Sequence, residues 1–309
     1  MTRKVLVSAP YLIPAIEGFQ NLFKENNIEI IIPRVNERLE EDELLRYVSE
    51  IDGAICGDDR FTDRVLQAAP KLKVISKWGT GIDSIDQEAC RQAGIRVCNT
   101  PNAFSEPVAD TVIGYMLCFA RNLVQMDLGM KKGNWQKIPG KALRECTLGV
   151  IGVGNVGKAV VRRAKHFGMT LLGNDIVEMP QDFVTETQIQ MIPKEHLLGG
   201  ADFVSLNCDL NPRSHHLMNA RMFGFMKPSA IVINTARGPI INEVDLIEAL
   251  NQKKIGGAAL DVFETEPLPD DSPLKKMPNV MLAPHNANSS PQAWEAVHHS
   301  TINKLINAL

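Results

Sequence analysis

Two groups of residues in this chain have the types and the spacing to do chemistry. The first is Leu148-Gly149-Val150-Ile151-Gly152-Val153-Gly154-Asn155-Val156-Gly157-Lys158, a G-x-G-x-x-G set between an apolar strand and an apolar-faced helix. Gly152, Gly154 and Gly157 fall where a backbone must turn tightly and approach a pyrophosphate, and the N–H groups of Asn155 and Val156 would open the helix towards that negative charge. Eighteen residues beyond Gly157, at the end of the next strand, Asp175 supplies the carboxylate expected on the ribose hydroxyls of an adenosine. No arginine stands beside it to take a 2′-phosphate, so the cofactor reads as NAD.

The second group lies just past later strands of the same unit. Arg237 follows one in Asn234-Thr235-Ala236-Arg237-Gly238, Glu266 another in Asp261-Val262-Phe263-Glu264-Thr265-Glu266-Pro267, and His285 a third in Ala283-Pro284-His285-Asn286. Open parallel sheets bind ligands beyond the carboxyl ends of their strands, so a cation, a carboxylate and an imidazole would converge beside a nicotinamide. These are the candidate catalytic residues. Arg237 would fork onto the carboxylate and keto oxygen of a 2-oxo acid, His285 would move the proton, and Glu266 would orient the imidazole and stabilise its charged form. Singly, such an Arg or Glu is usually a solvated loop charge and such a His a surface or packing residue. Their shared position beside a dinucleotide motif is what points to hydride transfer.

The elements that must position these groups read as two alternations of strand and helix. Short β-branched runs at Lys4–Ser8, Ile28–Ile32, Gly53–Cys56, Leu72–Ser76 and Arg96–Cys98 alternate with stretches of helical period, such as Ile16, Phe19, Leu22 and Phe23, or Leu44, Leu45 and Val48. A long helix is expected from Ser105 to Met130, then a polar connector from Lys131 to Glu145 in which Trp135 packs. The second alternation has strands at Thr147–Gly152, Thr170–Asn174, Ile189–Ile192, Asp202–Asn207, Ala230–Asn234, Gly257–Asp261 and Val280–Ala283. The last segment, Pro291–Leu309, reads as an amphipathic helix able to return to the first unit. Residues 1–100 with 288–309 would then form a substrate domain and 101–287 an NAD-binding domain, with a hinge and a cleft between them.

Composition narrows the function classes. With 309 residues, 44% hydrophobic and 22% charged, the chain has material for about two globular cores and is not disordered. Its 33 Lys and Arg against 36 Asp and Glu, a net charge of −3, argue against nucleic acid and anionic membranes as partners. The opening MTRKVLVSAPYLIPAI has no signal-peptide core, and no apolar run approaches the roughly 18 residues of a membrane span, so the protein is read as cytoplasmic. Cys56, Cys90, Cys98, Cys118, Cys146 and Cys208 are scattered and read as reduced, buried thiols. No metal site is expected, and His215-His216 and His298-His299 read as surface or helix-face residues.

These motifs, in this order, resemble the NAD-dependent D-isomer-specific 2-hydroxyacid dehydrogenases, chiefly their 3-phosphoglycerate dehydrogenase and hydroxypyruvate/glyoxylate reductase branch. The resemblance runs from about residue 50 to 290 and includes Gly79-Thr80-Gly81-Ile82-Asp83-Ser84-Ile85-Asp86, Asn99-Thr100-Pro101 and Gly257-Ala258-Ala259-Leu260-Asp261-Val262-Phe263. It implies an α/β fold of two doubly wound parallel-sheet domains, a flavodoxin-like substrate domain and a Rossmann NAD-binding domain. It further implies that Asp261 meets the nicotinamide amide, that Ala236 lies on the cofactor, and that in the substrate-binding turn Gly79-Thr80-Gly81 the backbone N–H groups of Thr80 and Gly81 cradle the substrate carboxylate. Lys77 stands where phosphate-handling relatives often carry a basic residue, and reads either as a phosphate contact or as a surface lysine. The connector and the helix before it are implied to form a homodimer interface. The chain departs from the family pattern at Asn286-Ala287-Asn288-Ser289-Ser290, and since it stops at Leu309 a C-terminal regulatory domain is not expected. The same family includes NAD-binding transcriptional corepressors and dehydrogenases of formate and phosphite, which are the alternatives to a small 2-hydroxy or 2-oxo acid as substrate.

Overall fold

The computed structural model describes residues 2–309, which divide into two compact units: the chain up to Phe104 together with Ser290–Leu309, and Ser105–Ser289. Among the described residues, the first unit is built on a parallel sheet of β1 (Arg3–Val7), β2 (Ile28–Ile31), β3 (Gly53–Cys56), β4 (Val74–Lys77) and β5 (Arg96–Cys98), in the order β2-β1-β3-β4-β5. This is the flavodoxin-like order, with its reversal of direction between β1 and β3. All of β3 and β4 is buried, which is why β3 reads as an unbroken apolar run rather than as an alternating strand, while β4 ends on the buried polar residues Ser76 and Lys77.

The helix Pro291–Ala308, capped by the Ser290 hydroxyl, covers β3, β4 and β5. Hydrogen bonds tether it: Ser76 Oγ donates to the Thr301 carbonyl at 2.8 Å, Trp78 Nε1 to His298 Nδ1 at 2.9 Å, Thr100 Oγ1 to Ser300 Oγ at 2.9 Å, and Lys304 Nζ to the Asn99 carbonyl at 2.5 Å. His298 is therefore a buried acceptor rather than a surface residue, and burial pulls its pKa down. The first unit's helices are shorter than the apolar spacing suggested. Pro14 and Gly18 divide one stretch into a 3₁₀ segment, Ile13–Phe19, and a helix, Gln20–Glu25, while Glu41–Leu44 is a single turn.

The second unit has β6 (Thr147–Ile151), β7 (Thr170–Asn174), β8 (Gln190–Met191), β9 (Phe203–Leu206), β10 (Ile231–Asn234), β11 (Gly257–Leu260) and β12 (Val280–Leu282), all parallel. Their order, β12-β11-β10-β9-β6-β7-β8, is the doubly wound dinucleotide-binding order with one further strand, and it reverses between β6 and β9.

The expected helix from Ser105 to Met130 is two helices, Ser105–Ala120 and Leu123–Lys131. Asn122 takes a left-handed conformation (φ 53°) between them, its Nδ2 donates to the Pro139 carbonyl, and Lys141 N–H donates to the Ala120 carbonyl. The returning connector thus captures the helix end. The first helix buries Val108, Ala109, Val112, Ile113 and Met116, whereas the second buries nothing. Trp135, expected to pack within the connector, is 89% exposed.

One buried carboxylate organises the carboxyl edge of the first sheet. Asp59 accepts from Ser8 Oγ at 2.8 Å, Leu39 N–H at 2.5 Å and Gly57 N–H at 2.9 Å, tying together segments that follow β1, β2 and β3. Burial outweighs these bonds and raises its pKa from 3.8 to about 6. A carboxyl raised on folding confers stability that is complete below about pH 4 and lost as pH rises through its folded value. Asp59→Asn, which cannot ionise, is expected to be less stable than wild type near pH 4 and to recover part of that deficit near pH 7.5. Urea denaturation at the two pH values measures the difference, and equal deficits would contradict it.

Candidate active site

The glycine turn sits between β6 and the helix Asn155–His166. Gly152 has φ 87°, and a side chain there would collide with the backbone of Asn207 and Cys208. One on Gly157 would strike the Gly152 carbonyl, so strand, turn and helix pack at backbone distance. Gly154 is different: a Cβ there would meet nothing within 4 Å, and as helix N-cap it provides no side-chain cap. The first N–H groups of a 12-residue helix, Asn155, Val156 and Gly157, therefore lie behind an open approach, which suits a pyrophosphate.

Asp175 lies past β7, where its Oδ2 accepts from Val153 N–H at 2.6 Å and its Oδ1 from Val177 N–H at 2.9 Å. It braces the glycine turn as well as facing a hollow of about 320 Å³ lined by Asp175, Ile176, Val177, Met179, Val184 and Met191. Ile176 and Val177 are exposed there. Glu178 and Gln181 complete the lining. Apolar walls with a carboxylate held at the strand end suit an adenosine, so the residues present fit NAD.

The edge of β10 to β12 brings the second group together. Asn234, fully buried at the end of β10, donates through Nδ2 to the Arg237 carbonyl at 2.9 Å and accepts from Ala236 N–H at 3.1 Å. That pins the turn carrying Arg237, which is half-buried with an Nη1 bond to the Ala236 carbonyl. Asp261, 1% exposed, accepts from Asn286 and Ala287 N–H, each at 2.8 Å, and its carbonyl accepts from His285 N–H at 2.7 Å. Burial raises its pKa. This carboxylate, expected on the nicotinamide amide, also holds the loop that bears the imidazole, and each of its oxygens accepts only one of these bonds.

His285 stands in the left-handed region (φ 51°), with Nδ1 2.9 Å from Glu266 Oε2, while Glu266 Oε1 accepts from Phe263 N–H at 2.9 Å. An ionised carboxylate only accepts, so Nδ1 carries the hydrogen and Nε2 is the nitrogen that exchanges a proton. A cation, an imidazole and its orienting carboxylate thus sit on three adjacent loops of one sheet edge.

In the first unit, Gly79 (φ 115°) turns the chain after β4. Asn99 Nδ2 donates to the Thr80 carbonyl at 2.5 Å and Thr80 Oγ1 to the Thr100 carbonyl at 3.0 Å. Holding that carbonyl fixes the plane of the Thr80–Gly81 peptide, and so the opposite direction of the Gly81 N–H. Lys77 is no surface residue. It is 5% exposed, and its Nζ lies 3.1 Å from Asp58 Oδ1 and 3.2 Å from the Trp78 carbonyl. Asn234 and Asp58 were missed by sequence reasoning, although both end or follow a parallel strand. His215 and His216 stack, and His216 Nε2 pairs with Glu264 at 2.6 Å.

Residues 113–287 match the family described as D-isomer specific 2-hydroxyacid dehydrogenase, NAD binding domain. The chain is 40% identical over 262 residues to a D-3-phosphoglycerate dehydrogenase of Methanocaldococcus jannaschii, covering 84% of this chain and 50% of that protein. It is 34% identical over 298 residues to a hydroxypyruvate reductase of Thermotoga maritima, covering 95% of each. It therefore spans half the length of the first relative and nearly all of the second. Among solved structures, a D-lactate dehydrogenase of Aquifex aeolicus complexed with NAD and lactic acid has a TM-score of 0.87 at 26% identity, covering 97% of this chain and 93% of that one.

Because Gly154 has ordinary φ (−74°) and open space before it, Gly154→Val is expected to leave the fold intact but block the approach to the helix. Fluorescence titration should show NADH affinity lower by about 100-fold with an unchanged circular dichroism spectrum; wild-type affinity would remove the turn from the cofactor site.

Proposed function

The chain belongs to the D-isomer-specific 2-hydroxyacid dehydrogenase family, and from that premise we propose that it interconverts a small 2-oxo acid and its 2-hydroxy acid with NAD(H). When bound, NADH supplies the hydrogen and electron pair that reach carbon 2, so that 2-oxo acid, NADH and a proton give 2-hydroxy acid and NAD⁺. The chain supplies the rest. Arg237 binds the acid's carboxylate and polarises its carbonyl, His285 Nε2 gives that oxygen its proton, and Glu266 keeps the ring in the required tautomer and favours its protonated form. On the first unit, the N–H groups of Thr80 and Gly81 take the carboxylate. The observation that carries this reading is the 2.9 Å contact between Glu266 and His285, on the same sheet edge as Arg237 and in the unit that holds the glycine turn.

NADH oxidation, followed by near-ultraviolet absorbance, should proceed with glyoxylate, hydroxypyruvate or a close relative and fail or fall sharply with NADPH. His285→Ala should lose about 1,000-fold in kcat while NADH still binds. An inert wild-type protein, or an active His285→Ala variant, would overturn the assignment.

The same reading includes a homodimer in the cytoplasm. Leu123, Val124, Leu128 and Met130 are exposed along one short helix that buries nothing, with Trp135 and Ile138 exposed in the segment that follows. A second copy of this chain is the occupant that such a face and the family resemblance favour. The six unpaired cysteines suit a reducing compartment. Leu128→Glu combined with Trp135→Glu should convert a dimer into a monomer in sedimentation; a monomeric wild type would refute the interface.

A further inference from the structure

The carboxyl edge of the first sheet carries a charge arrangement that bears on which acid is taken. β3 and β4 are hydrogen-bonded neighbours with Cys56 opposite Lys77, so the residues after β3 stand beside the end of β4. There the Lys77 side chain is 6% exposed and its ammonium is 3.1 Å from Asp58 Oδ1, whereas the Asp58 side chain is 43% exposed. The cation lies inside and the carboxylate at the rim. Asp59, also on this edge and fully buried, adds a second carboxyl.

A buried ammonium requires a partner, and a partner at this distance cancels its field for anything approaching from outside. A phosphate monoester, with close to two negative charges, would meet Asp58 before it could meet Lys77. A hydroxyl would meet an acceptor on Asp58 and a donor on Lys77, and a hydrogen or methyl group would meet no charge of its own sign. Lys77 ends β4 two residues before the Gly79-Thr80-Gly81 turn, so the pair stands at the same strand end as the turn assigned above to the acid's carboxylate.

We propose that the Asp58–Lys77 pair selects a small unphosphorylated 2-oxo acid, with hydrogen, methyl or hydroxyl beyond carbon 2, and rejects phosphate monoesters. This rests on the dehydrogenase reading above.

The test compares kcat/KM for hydroxypyruvate and phosphohydroxypyruvate in wild type, Asp58→Asn and Lys77→Met. Wild type should favour hydroxypyruvate by at least about 10-fold. Asp58→Asn, which unmasks the ammonium, should cut that preference by about 10-fold or more, mainly through KM for the phosphorylated acid; Lys77→Met should sharpen it. Titration of the NADH-loaded protein with glycolate and 2-phosphoglycolate should show the same changes of preference in Kd, a readout that a purely structural ion pair would not move. A wild-type preference for the phosphorylated acid overturns the proposal even if both variants fail to fold, as does a ratio within about twofold of wild type in a folded Asp58→Asn. Absence of turnover with every 2-oxo acid would instead overturn the dehydrogenase reading.

Discussion

A carboxylate buried without a charged partner has to be satisfied by hydrogen bonds, and at Asp261 that requirement sets the shape of the site. Its two oxygens take the N–H groups of Asn286 and Ala287, and its carbonyl takes that of His285. Three successive N–H groups can converge on one residue only if the chain curls sharply, and His285 is accordingly left-handed, a conformation few non-glycine residues adopt. From there its ring meets Glu266. Asn234 does the same for Arg237 through a buried amide bonded to both ends of a short turn. The side chains that hold the loops are the buried ones, and those that would touch substrate are half-buried. This division keeps reactive groups accessible without leaving their backbone free to wander.

Much of this could be read from the amino-acid order. Strands buried on both faces appear as short apolar runs, and the glycine turn is legible because each of its close backbone approaches forbids a side chain. The rule that ligands lie past strand ends picked out Arg237, Glu266 and His285. The same rule, applied to the first sheet, would have reached Asp58 and Asp59 just past β3. What it could not supply is that Lys77 lies opposite Cys56, because that register depends on five strands assembling. The break at Asn122 was equally hidden, since no glycine or proline marks it. It is made by Pro139 and Lys141, residues of the connector that returns to the helix end. His298, by contrast, carried a signal that was passed over: it shares a helical stripe with Thr301, Ile302 and Leu305, all buried.

Trp135 illustrates a limit of a different kind. A large aromatic side chain in a polar connector suggests local packing, but the ten residues from Lys131 to Gly140 are exposed in the isolated chain. Nothing in the sequence distinguishes an aromatic anchored within its own chain from one presented to another molecule. Only the three-dimensional arrangement separates the two, by showing which neighbours are absent.

The helix Pro291–Ala308 has a consequence for how this protein is made. The second unit is one continuous stretch, so everything it needs has emerged from the ribosome once Ser289 is clear of the exit tunnel. The first unit, although its strands precede the second unit in the chain, lacks the cover over β3, β4 and β5 until Pro291–Ala308 has emerged, leaving apolar strands open to solvent and to other nascent chains. The half synthesised first is therefore the half completed last. Premature termination within Pro291–Ala308 would injure the first unit while sparing the one next to the lesion.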